Sequence, residues 1–154
     1  FLNGHGGEDR VAGQDNEVLV QAHENAAVLG RCIVYALACS SAKTLGPTAV
    51  RAGAKAYVGY DDEFIFMYEP RRRARPHDDK TAALFLEPSN QIPLSLVEGT
   101  TVARAAASAK SAFRKNIRKL LTSEARPEDS SVLRFLVWDL QHLAVTGDQE
   151  SRIA

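Results

Sequence analysis

The chain has 154 residues, the size of one domain, and its 45% apolar content suffices for a buried core. Lys plus Arg and Asp plus Glu stand at 19 each, so no excess charge argues for nucleic acid or an anionic membrane as partner. No apolar run approaches bilayer length and no signal peptide opens the chain, which predicts a soluble protein, and two cysteines too few for a disulfide scaffold fit a reducing compartment, the cytoplasm.

Phe1 to Asn3 reads as the tail of a strand. Because the chain opens inside it, the expectation is that N-terminal strands of the sheet are missing, or that another chain completes it. Gly4 to Gly13 reads as a loop rich in glycine and acid, and Gln21 to Leu29 as a short helix closed by Gly30 in a left-handed cap. Cys32 to Ala38 is a continuous apolar run, as in a central strand covered on both faces. Leu45 to Ala52 reads as a helix ended by Gly53, and Ala56 to Tyr60 as a further buried strand. Alternating strands and helices predict an α/β domain with a mainly parallel sheet, right-handed crossovers and helices on both faces.

Beyond Tyr60 the chain reads as helical, interrupted by an irregular basic loop from Glu69 to Pro76. Val102, Ala105, Ala106, Ala109, Phe113, Ile117, Leu120 and Leu121 recur at three or four positions, predicting an amphipathic helix over 102–121. A second helix is expected from Ser131 to Val145, with Pro127, Asp129 and Ser130 as its start signal, and both should pack on the sheet. The whole is expected to be one domain over 1–154: a catalytic sheet portion (1–68), a basic loop (69–80) and a helical portion (81–154).

Two reactive side chains, His5 and Cys39, close successive apolar runs. If both runs are parallel strands, their ends share the sheet edge where α/β proteins carry ligands and chemistry. An imidazole beside a thiol is the minimum for a cysteine hydrolase. Taken alone, Cys39 reads as a small buried hydrophobe and His5 as a loop histidine; their joint placement favours catalysis. Cys32 starts its strand instead of ending it and reads as structural. Seven positions separate the two cysteines, so they point to opposite faces of one predicted strand and no disulfide is expected. His23, His77 and His142 have no ligand spacing, so neither metal nor cofactor is expected.

The motif of His5-Gly6 after one apolar strand and Ala38-Cys39 after the next resembles that of the caspase-like cysteine peptidases of clan CD. Cys39-Ser40-Ser41, then Arg51-Ala52-Gly53-Ala54, then Gly59-Tyr60-Asp61-Asp62, is similar to the CHAT and separase branch, as is the later segment from Leu96 to Ala105. The resemblance covers most of the chain and implies a caspase-like three-layer sandwich. It implies that the Cys39 thiolate attacks a peptide carbonyl, that His5 protonates the departing amine, and that the N–H groups of Gly6 and Cys39 form the oxyanion hole. A helix beginning after Cys39 should direct its positive end at the sulfur.

The same resemblance implies that Asp61 or Asp62 lines an S1 pocket and selects Arg or Lys, and Glu8 and Asp9, in the loop after His5, read as secondary contributors. The plain alternative is that these acids are solvated. The run Arg71, Arg72, Arg73, Ala74, Arg75 lacks the interleaved aromatics of a nucleic-acid surface and reads first as a charged loop, second as a site of self-cleavage. Expected partners are thus a protein or peptide substrate and a regulatory or sensor domain. The competing reading is a catalytically silent CHAT-like interaction module, or a protease fragment that needs another chain or a trigger.

Overall fold

A computed structural model describes residues 1–122 and 129–153. Its main sheet has four strands in the order β1 (Leu2–Asn3), β5 (Ile33–Leu37), β6 (Ala56–Tyr60) and β7 (Leu143–Gly147). The β1–β5 and β5–β6 pairs are parallel, while β7 joins β6 antiparallel. Three further strands, β2 (His5–Gly7), β3 (Arg10–Ala12) and β4 (Val18–Gln21), form a separate antiparallel meander.

Strands β5 and β6 are apolar at every position because both faces are covered. Val34, Ala36 and Tyr57 face α1 (Leu45–Arg51), packing with its Leu45 and Ala49 and with Val11 and Val20 of the meander. Tyr35, Val58 and Tyr60 face the opposite way, onto Ile92 and Leu96 of α2 (Lys80–Val97) and Ala105 and Ala109 of α3 (Val102–Leu120). The result is a mixed α/β architecture with a mostly parallel sheet and helices on both faces. A third cluster, Phe85, Phe113, Val132 and Leu136, joins α4 (Asp129–His142) to α2 and α3.

Helix α2 runs through two prolines, each lacking the N–H that would bond four residues back. At Pro88 the freed carbonyl of Leu84 accepts a hydrogen bond from Asn116 Nδ2 of α3 at 2.8 Å. The helix starts at Asp79, whose carboxylate accepts from the Ala82 N–H. Thr101 caps α3 likewise, accepting from the Arg104 N–H.

Several expectations from the sequence are corrected. Gly4 to Gly13 is largely sheet, because the hairpin pairs glycine-rich β2 with β3. Gln21 to Leu29 holds the end of β4 and one 3-10 turn, Ala26–Leu29, and Gly30 has φ −53, outside the left-handed region. Gly53 does take that region, with φ +106. The stretch 61–69 forms neither helix nor strand, and side chains of α4 and the Asp79 cap of α2 hold it. The last helix ends at His142, and Leu143 to Val145 belong to β7, where β6 offers them a free edge. Pro127 lies outside the described residues. Among the described residues, no helix is long and apolar enough to cross a membrane.

Candidate active site

Strand register brings His5 and Cys39 to one edge. Asn3 of β1 lies opposite Leu37 of β5 in the parallel ladder. His5 and Cys39 each follow two residues later, so the strand ends carry them out level with one another. Between them the backbones touch. A methyl on Gly6 would overlap the amide nitrogen and carbonyl oxygen of Cys39 and stand 2.7 Å from the carbonyl carbon of Ala38. Only a residue without Cβ fits there.

His5, Gly6 and Cys39 line a common cleft of about 510 Å³, walled on its far side by Phe64, Phe66 and Leu86. His5 is exposed and its ring makes no hydrogen bond within the described residues. His5 and Gly6 also border a second, more polar hollow of about 450 Å³, with Arg10 and Asn16. Imidazole, thiol and main chain thus border one open cleft.

A tight turn follows Cys39. Ser40 has φ +56, in the left-handed region, and its N–H donates to the Asp62 carbonyl at 2.8 Å. Buried Ser41 donates its hydroxyl to the Ala38 carbonyl, and the Ala42 N–H bonds the Tyr60 carbonyl. The loop after His5 is tied to the same turn: the Glu8 carbonyl accepts from the N–H groups of Thr44 and Leu45, and Lys43 pairs with the Glu8 carboxylate at 2.5 Å. That hydrogen bond, then the Glu8 charge, and more weakly Asp62 and Asp61, raise the Lys43 pKa. The expectation that a helix end bears on the sulfur is corrected here. Helix α1 begins six residues after Cys39, and its leading N–H groups are taken by Glu8.

The thiol meets a different group, the Phe64 carbonyl, at 3.8 Å from Sγ. Phe64 belongs to the segment 61–69, which α4 grips at three points. Trp138 Nε1 donates to the Glu63 carbonyl, Asp139 Oδ1 accepts from the Ile65 N–H at 3.0 Å, and His142 Nδ1 bonds the Asp61 carboxylate at 2.7 Å. Asp79 takes the far end, accepting from the Glu69 N–H. Asp139 is fully buried, and its Oδ2 has no partner among the described residues. Burial pushes its pKa up to about 8, opposed by the Ile65 hydrogen bond. It therefore holds the segment as a neutral acid at pH 7.

Asp61 and Asp62 stand beside the cleft, not among the residues that line it. Asp61 is held by His142, and Asp62 Oδ1 accepts from the Glu63 N–H. Asp9 accepts from Gln21 Nε2, away from Cys39. Cys32 is an exposed free thiol, and Arg71, Arg72, Arg73 and Arg75 all lie on an exposed loop. Sequence reasoning missed the wall of Phe64, Phe66 and Leu86 and the anchoring by Asp79 and Asp139. The alternation Phe64-Ile65-Phe66-Met67-Tyr68, large apolar residues throughout with the aromatics at every second position, carried the signal of a non-helical segment. Comparisons of the chain with protein-family models, curated proteins and solved structures give no match.

Proposed function

We propose that the chain is a cysteine endopeptidase with a His5/Cys39 dyad and a caspase-like three-layer architecture, cleaving after Arg or Lys. The observation that carries this reading is the level register of His5 and Cys39 beyond paired parallel strands, with Gly6 packed on the Cys39 main chain at an open cleft. The Cys39 thiolate attacks the scissile carbonyl carbon, and the oxyanion forms beside the Gly6 and Cys39 backbone. His5 gives a proton to the amine nitrogen as the C–N bond breaks. Water then attacks the thioester, releasing the acid and restoring the thiol.

Selection of a basic side chain rests on Asp61 and Asp62, which follow β6 on the same sheet edge. Asp62 is the stronger candidate, because His142 already engages the Asp61 carboxylate. The test is a set of peptides varied only at P1, given to wild type, Cys39→Ala and His5→Ala. Cleavage after Arg or Lys that disappears in both variants supports the reading. Turnover retained in Cys39→Ala sinks the dyad, preference for Asp at P1 sinks the acidic pocket, and inactivity of wild type on every peptide favours a silent interaction module.

A further inference from the structure

The Cys39 cleft has a neighbour beyond its wall. Phe66 and Leu86 also line a second hollow of about 310 Å³ with Tyr68, Pro76 and Ala82, and Arg72, Arg73 and Asp79 stand at it as well. The two hollows therefore adjoin across Phe66 and Leu86, which form a shared wall. From one hollow to the other the rings of Phe64, Phe66 and Tyr68 follow each other at 6.1 and 6.3 Å. That spacing is close to the two-residue repeat of an extended chain, roughly 6.6 Å. Phe66 and Tyr68 are 45% and 43% exposed, a poor place for large aromatics unless something covers them. Tyr68 is nonetheless fixed, with its hydroxyl 2.6 Å from Arg73 Nη2 and the guanidinium 5.3 Å from its ring.

The main chain of the segment points to the kind of occupant. Its N–H groups at Glu63, Ile65 and Glu69 are taken by the carboxylates of Asp62, Asp139 and Asp79. Within the described residues no hydrogen bond engages the main chain of Phe66, Met67 or Tyr68. A main chain with open polar groups, next to a row of exposed rings, suits an extended peptide carrying apolar side chains. The direction follows from strand order. His5 leaves β1 on one side of Cys39 and segment 61–69 leaves β6 on the other, so a leaving amine at His5 puts the acyl half of a peptide over Phe66 and Tyr68.

We propose that the hollow between Phe66, Tyr68 and Leu86 is a second specificity subsite, which takes a Leu- or Phe-like side chain about two to four residues N-terminal to the scissile bond. This inference rests on the peptidase reading for its orientation, but binding tests it separately. Fluorescein-labelled peptides with Arg at P1, carrying Leu or Asp at each of those positions in turn, are titrated into Cys39→Ala protein, and the unlabelled set is given to wild type for cleavage. At one position Leu should bind at least about tenfold more tightly than Asp. Tyr68→Ala should bring the ratio close to one, and Tyr68→Phe should keep it. Cleavage indifferent to all these positions, or no peptide binding at all, overturns the subsite. A Leu preference in binding without cleavage by wild type upholds the subsite and overturns the peptidase.

Discussion

Gly6 sits with its Cα against the peptide of Cys39, so closely that no side chain fits between the two strand ends. That contact fixes the position of Cys39 relative to the histidine one residue before Gly6. Gly6→Ala should push the two apart. The expected cost is about 1 to 3 kcal/mol in stability, with larger loss of any activity, read by thermal denaturation beside a cleavage assay. A Gly6→Ala protein with unchanged melting and unchanged activity would show that the contact positions nothing.

Asp139 gives the protein a distinctive pH dependence. Unfolded, this carboxyl ionises near pH 4; folded, burial keeps its proton up to about pH 8. Between those values the native state binds more protons than the unfolded state. Raising the pH through this window therefore removes stability, by at most about 1.4 kcal/mol per unit from this group, and the loss is complete above the folded pKa. Asp139→Asn keeps an oxygen for the Ile65 N–H and carries no charge, so its stability should fall less between about pH 5 and pH 8. Urea denaturation followed by the fluorescence of Trp138, the sole tryptophan, measures this. Parallel curves for the two proteins would contradict it.

The two acids after β6 should not be equivalent. His142 engages Asp61, whereas Asp62 accepts only a main-chain N–H through Oδ1. On peptides with Arg at P1, Asp62→Asn is expected to lower kcat/KM roughly tenfold or more, the worth of one charge-assisted hydrogen bond. Asp61→Asn should do less. The reverse order would make Asp61 the S1 residue and reduce the His142 pair to a contact of the peptide-free protein.

Lys43 and Glu8 join the loop after His5 to the turn after Cys39, but both side chains are more than half exposed. Such a pair is weak and screened by salt. Lys43→Ala should lower the melting temperature slightly in dilute buffer and not at all in high salt. A large loss persisting in salt would mean that the pair, and not the Glu8 carbonyl, holds the turn.

The sheet was legible where burial dictates residue type. Strand β6 and helix α1 were read at almost their observed bounds, since apolar runs closed by Gly53 and acidic residues leave few alternatives. The hairpin of β2 and β3 was not, because His5, Gly6 and Gly7 have low strand propensity and are ordered by pairing with Arg10 to Ala12. Helix α2 was obscured by Pro88 and Pro93, and only the tertiary bond from Asn116 shows why it continues. At the site, His5 and Cys39 stood out as reactive groups at strand ends. The wall did not, since Asp139 reaches segment 61–69 from a helix 74 positions further on, and Asp79 reaches it from the cap of α2.

The central claim is that Cys39 is a nucleophile addressed by a basic peptide. Its most direct measurement is mass mapping of the wild-type protein after brief exposure to a short peptide ending in an arginyl chloromethyl ketone. The account predicts a single adduct on Cys39, formed faster than with the same peptide ending in an aspartyl ketone, and absent from Cys39→Ala. Equal modification by both reagents, or an adduct on exposed Cys32 in place of Cys39, would contradict it.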